Sequence, residues 1–205
     1  HNQRISQLIF ITLERSRRIV DVRAEADALI QSHNTDAVAW LGYATVMKSL
    51  KDTSAQIDAL TKATKLAPDN ILAWMHYARV LEAQQGTQGA IQAYRHIAQL
   101  RPDDPVANNN LAYALLTTGT APEEALERAR KAHEKLASNP SVIHTLGVAQ
   151  MRTGHLEESQ KNLQVALELR PGDPTLLLDF GLLFIAKGEE EQGKKYVTLA
   201  LRYAD

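Results

Sequence analysis

The sequence contains no cysteine. Disulfide frameworks, thiolate metal sites, redox motifs and cysteine nucleophiles are therefore excluded, and the compartment is left undecided. Long apolar runs are missing as well. The densest, Leu8-Ile9-Phe10-Ile11, is followed by Thr12, Glu14, Arg15, Arg17 and Arg18. That falls short of the roughly 18–20 residues a membrane helix requires, so no direct membrane insertion is expected of this segment. Neither sign of charge dominates, with 23 Lys plus Arg against 24 Asp plus Glu and a net charge of −1. Such a balance offers no electrostatic footprint for nucleic acid or an anionic membrane. Glycine and proline are scarce, at ten and seven in 205 residues. With abundant Ala, Leu, Gln and Glu, this composition predicts a mostly helical chain. The 44% apolar and 23% charged content is ordinary for a globular protein, long enough for one domain or two small ones. His1 rather than methionine leads the chain, which predicts a processed or excised form.

What is present is a repeat. Trp40 and Trp74 lie 34 residues apart, as do Tyr43 and Tyr77, Pro68 and Pro102, and Pro140 and Pro174. The pairs Leu146-Gly147 and Phe180-Gly181 keep the same spacing. Arg101-Pro-Asp-Asp-Pro105 recurs as Arg170-Pro-Gly-Asp-Pro174, two periods and one inserted residue later. Units start near Ala37, Ile71, Pro105, Pro140 and Pro174. Each reads as two amphipathic helices. In the second, Trp74, Tyr77, Ala78 and Leu81 recur at helical spacing, then a break at Gln85-Gly86-Thr87 precedes Ala90, Ile91, Tyr94, Ile97 and Ala98. Gly119, Gly154 and Gly188 mark the same break in later units, where a left-handed residue is wanted. Thr120-Ala-Pro-Glu123 is expected to supply an N-cap, an early proline and a capping-box acid.

The pattern resembles the tetratricopeptide repeat (TPR) family, whose 34-residue unit carries Trp-Leu-Gly-Tyr, Ala-Phe-Ala and Pro signatures. The large site opening the first helix holds Trp40, Trp74, Ile143 and Leu177, and the next holds Tyr43, Tyr77, Leu111, Leu146 and Phe180. The small site beside it holds Ala44, Ala78, Ala112, Gly147 and Gly181. Second-helix small sites hold Ala90, Ala125, Ser159 and Gly193, then Ala63, Ala132, Ala166 and Ala200. Small residues let helix axes approach while bulky ones fill the grooves between units. Asn108 in place of the aromatic, and Gln56 and Ile97 at small sites, are expected to loosen individual contacts. The resemblance covers residues 34–205 and implies an all-α, right-handed α-solenoid of antiparallel helix pairs, a TPR superhelix. Its five units would be about 37–70, 71–104, 105–139, 140–173 and 174–205.

Residues 3–33 read either as one N-terminal helix or as a degenerate repeat. The final pattern helix, near Glu189 to Tyr203, has no polar cap after it, so Leu199, Leu201 and Tyr203 are expected to meet a further segment or another chain.

No catalytic constellation emerges. The seven histidines form no His-Glu-x-x-His pair, and no phosphate loop or Gly-x-Ser-x-Gly elbow occurs. Glu123-Glu124 and Glu189-Glu190-Glu191 fall at second-helix N-termini, where negative charge suits the helix dipole. His144 and His155 fall on different helices without partnering ligands. No enzyme activity, cofactor or metal is expected.

The resemblance implies a concave groove lined by first helices, binding a protein or peptide partner. The matching positions are Leu41, Thr45 and Lys48, then Met75, Arg79 and Glu82, then Asn109, Tyr113 and Leu116. His144, Val148 and Met151 follow, and after them Leu178, Leu182 and Ile185. Of these, Lys48, Met75, Arg79, Asn109, Tyr113, His144, Val148, Leu178 and Leu182 are the candidate contacts, polar in the middle and apolar toward the C-terminus. Each has a structural alternative: Arg79 pairing with Glu82, Met75 and Met151 as core filler, and the late leucines packed beneath a further helix. The family's carboxylate clamp needs Lys and Asn where this chain has Leu41 and Thr45, and its asparagine ladder is confined here to the third unit. Asn-Asn-Leu-Ala-Tyr-Ala and Arg-Pro-Gly-Asp-Pro look like bacterial repeat scaffolds, tilting the reading toward assembly in a bacterial cell envelope. The alternatives are a regulatory or substrate-docking module of a larger enzyme, and a homo-oligomer formed through Leu8–Ile11 or the terminal helices.

Overall fold

The computed structural model describes residues 19–204. The Leu8–Ile11 patch and the rest of residues 3–18 lie outside the described residues. Among the described residues the regular elements are eleven α-helices. Helix α1 (Ile19–Ser32) precedes five hairpins. These are α2 (Ala37–Ser49) with α3 (Thr53–Leu66), and α4 (Ile71–Gln85) with α5 (Thr87–Leu100). Next come α6 (Pro105–Thr118) with α7 (Pro122–Lys135), and α8 (Pro140–Arg152) with α9 (Leu156–Leu169). The last pairs α10 (Pro174–Ala186) with α11 (Glu190–Ala204). The helices form two compact units that divide between Leu100 and Arg101.

A carboxylate or amide starts each first helix. Asp36, Asn70, Asp104, Asn139 and Asp173 each accept a hydrogen bond from backbone N–H groups two or three residues on. This satisfies donors that a helix start leaves unpaired. Proline occupies the first turn of α6, α8 and α10, where it sacrifices no hydrogen bond. The turns between paired helices use left-handed backbone: Gly154 and Gly188 sit at φ 81° and 82°. The start of α7 departs from expectation. Its N-cap is Ala121, itself left-handed at φ 47°, and no side chain caps the helix. Gly119 and Ala121 both take left-handed backbone, and the Thr120 hydroxyl meets the Thr118 hydroxyl at 2.8 Å instead of the helix start.

In the first unit, Trp40, Tyr43, Val46 and Met47 of α2 pack with Leu60 and Ala63 of α3 and with Val22, Ala26 and Ile30 of α1. Tyr43 donates a hydrogen bond to Asp27, and Arg23 bridges Asp27 and Asp52. Burial, then the bond to Asp27, pushes the Tyr43 phenol from 10.0 up to about 12. Burial and the bond to Glu82 raise Tyr94 as well. The unfolded Tyr43 phenol ionises first, so its contribution to stability is full below pH 10 and is lost as pH rises through about 12. Alkaline titration should show Tyr43 and Tyr94 ionising late, and Tyr43→Phe should flatten the high-pH loss of stability. Ionisation of all six tyrosines together would contradict this.

In the second unit, Leu163 packs with Phe180, Leu183 and Phe184, and Tyr196 stacks on Phe184 with ring centroids 5.6 Å apart. The expected small sites are buried: Ala90, Ala125 and Ser159 are 0% exposed, as are Ala63, Ala132 and Ala166. Ser159 also donates to the Gly147 carbonyl across its hairpin at 2.8 Å. A Cβ on Gly147 would lie 2.8 Å from the Leu163 side chain, which explains the glycine.

Asn108 is fully buried and does more than fill the aromatic's place. The indole N–H of Trp40 donates to the Asn34 carbonyl, and that of Trp74 to the Pro68 carbonyl, each six residues back. Asn108 Nδ2 donates to the Pro102 carbonyl at the same offset, at 2.8 Å, and also to Asp104. Its Oδ1 accepts from Arg128 at 3.3 Å. The substitution keeps the donor that ties the helix to its preceding turn. Asn108→Ala should cost about 1–2 kcal/mol in a urea melt, from lost bonds and uncovered carbonyls. An unchanged midpoint would show that water replaces them freely.

Candidate peptide-binding surface

The candidate contacts divide between the units. In the first, Lys48 and Arg79 are exposed and Met75 is half-buried. Glu82 accepts the Tyr94 hydroxyl at 2.9 Å, so its carboxylate is held by the core rather than given over to Arg79. The pKa of His76 is lowered by desolvation first and then by the positive charges of Arg79 and Lys48. Lys48 on α2 and Arg79 on α4 are thus two cations close to one imidazole, whose charged form they disfavour.

In the second unit the first helices α6, α8 and α10 pack side by side. Between them lies a cavity of about 150 Å3, lined by Tyr113, Leu116, His144, Val148, Arg152 and Asp179 among others. It gathers three of the candidates, Tyr113, His144 and Val148. Tyr113 is 48% exposed, whereas His144 is 9% exposed. Its imidazole Nε2 meets Asp179 Oδ2 at 2.6 Å, tying α8 to α10. Leu178 and Leu182 stand on α10 with Ile185, at 41%, 38% and 42% exposure. Their spacing of four and three residues puts them on one helix face. The side-chain oxygen of Asn109 is buried without a partner. Met151 packs against the core of Leu163 and Phe184, the filler role weighed for it.

Sequence reasoning missed Asp179 and Arg152. Asp179 is the fixed partner of His144 although 35 residues away. A donor at the fifth position of one unit and an acceptor at the sixth of the next was the available signal. Among the described residues no group of three or more His, Asp or Glu side chains is placed to hold a metal ion. His144 is engaged by Asp179, and His155 Nδ1 lies 2.9 Å from the Thr153 hydroxyl.

No protein-family model and no curated protein sequence matches the chain. Solved structures do. YrrB, a TPR protein with an unusual peptide-binding site, shares 16% identity at a TM-score of 0.68 over 87% of this chain and 91% of its own. MamA of Desulfovibrio magneticus RS-1 shares 15% at 0.68, over 82% and 94%. PilW, a widely conserved type IV pilus biogenesis factor, shares 18% at 0.66, over 82% and 77%. This chain has a TPR fold. At such identities the likeness is one of architecture, an all-α solenoid fold of helical hairpins. Within that TPR fold the candidate residues all belong to first helices, while α3, α5, α7, α9 and α11 are the second helices. Among the described residues no helix of the TPR fold is long and apolar enough to cross a membrane.

Proposed function

We propose that this chain is a non-catalytic protein-interaction scaffold that binds a peptide or helix of a partner protein along its first helices, in assembly of a bacterial envelope or secretion structure. The observation that carries the reading is the exposed face of Leu178, Leu182 and Ile185 beside the cavity of Tyr113, His144 and Val148. Apolar side chains held in the open at helical spacing suit the apolar face of a peptide or helix. Support from the comparisons is of two kinds. YrrB has a peptide-binding site, and PilW acts in type IV pilus biogenesis.

Selection from a random 12-residue peptide library, on wild type and on Leu182→Asp side by side, tests the reading. Wild type should enrich a sequence family that the variant binds at least about tenfold more weakly, the scale expected for one buried aliphatic contact. Leu182 is 38% exposed, so circular dichroism and melting should be nearly unchanged. Equal enrichment on both proteins would move the binding surface elsewhere. A variant that unfolds would make Leu182 a core residue.

Self-association is a second reading, favoured by Leu201 and Tyr203 on α11 at 67% and 59% exposure. Sedimentation across a concentration series tests it. A strict monomer at every concentration would remove it.

A further inference from the structure

We propose that the cavity between α6, α8 and α10 selects a peptide in which an aliphatic side chain stands next to a side-chain carboxylate, with Arg152 as the specificity-determining cation. The inference rests on the peptide-binding reading and adds the chemistry of the ligand.

Size comes first. A cavity of about 150 Å3 matches the volume at which an apolar protein cavity accepts a benzene-sized group. It therefore takes one side chain, not a fold element. Leu116, 7% exposed, and the half-buried Val148 supply an apolar surface. The exposed ring of Tyr113 supplies a wall that an aliphatic group can cover.

Charge then decides what stands beside that side chain. Two full charges line the cavity, on Asp179 and Arg152. They are not equally available. Asp179 is held by His144 at 2.6 Å, and the two side chains are only 19% and 11% exposed. Arg152 is exposed in the last turn of α8 and has neither a hydrogen bond nor an ion pair among the described residues. A helix C-terminus favours a cation there, but that interaction leaves the five guanidinium donors unfilled. A carboxylate reaching Arg152 gains a bidentate, charge-assisted pair. An ammonium meets repulsion from Arg152 and finds Asp179, the carboxylate in the cavity lining, already engaged. The exposed hydroxyls of Thr117 and Thr175 border the same cavity and can donate to an anion.

The test uses three pools of N-acetylated, C-amidated 12-residue peptides with randomised flanks around a central Leu-Glu, Leu-Gln or Leu-Lys. Blocked ends ensure that any carboxylate read is a side chain's. Wild type should bind the Leu-Glu pool about tenfold more tightly than the Leu-Lys pool, as expected for one charge-assisted pair. The preference should shrink as salt is raised. Arg152→Glu should invert it, and Arg152→Lys should keep part of it. Equal binding of the three pools, sensitive to Leu182→Asp, would overturn acid selection and leave the peptide-binding reading intact. A preference that survives Arg152→Glu would remove Arg152 as the reader. Binding of no pool would overturn both readings.

Discussion

Gly193→Val should destabilise the second unit by about 3 kcal/mol, at the upper end of the range for overpacking. Helix propensity alone predicts the opposite sign, since valine is a better helix former than glycine. The reason lies in how α10 and α11 meet. A Cβ on Gly193 would stand 2.6 Å from the Ile185 side chain, 2.8 Å from the Gly181 carbonyl oxygen and 3.1 Å from the Ile185 backbone nitrogen. The Ile185 side chain is 42% exposed and can swing away. The two backbone atoms belong to α10 and cannot. Relief therefore requires α11 to back off, which separates Tyr196 from the Phe180 and Phe184 rings it meets at centroid distances of 4.9 and 5.6 Å. Urea denaturation of Gly193→Val, beside the exposed control Lys195→Val, reads the effect. A midpoint equal to the control's would show that the helices are not in contact through glycine.

That contact was legible in the sequence. Gly181 and Gly193 fall at the small sites of the 34-residue pattern, and their smallness has one cause, the approach of paired helices. The turns were legible for a similar reason: Gly119, Gly154 and Gly188 take positive φ because few other residues do so at low cost. Hydrogen-bond direction was much less so. Asn108 reads as a loss where an aromatic belongs, because side-chain size is visible in a sequence and the aim of an N–H is not. Its amide nonetheless points where the Trp40 and Trp74 indoles point. Thr120 shows the reverse. Its type and spacing suit a helix cap, but the left-handed Ala121 sets the backbone, and the hydroxyl bonds Thr118. Asp179 was hidden for a third reason. Pattern matching aligns like positions of successive units, whereas His144 and Asp179 are unlike positions that only packing brings together.

Breaking the His144–Asp179 pair should have the second large effect, and an asymmetric one. His144→Ala takes from the half-buried Asp179 carboxylate its partner at 2.6 Å, at a cost of about 2–3 kcal/mol, the upper range for a hydrogen bond to a charged group. Asp179→Ala removes one hydrogen-bond partner from the imidazole and strands no carboxylate, so its cost should be smaller, about 1–2 kcal/mol. The double variant removes both problems together and should be less destabilised than the sum of the two. The coupling measured in such a cycle should be about 1.5–3 kcal/mol, the range for a hydrogen bond to a charged group. The two side chains come from different hairpins, so the coupling measures what this one pair contributes to holding α10 on α8. It bears equally on the surface. Leu178 and Leu182 flank Asp179 on α10, and a helix that shifts relative to α8 carries those leucines with it. His144→Ala should therefore weaken peptide capture at temperatures well below its melting point, although His144 is itself only 9% exposed. Additive single variants would mean that the pair holds nothing, and that α10 is kept in place by apolar packing, with Leu176, Phe180, Leu183 and Phe184 in it.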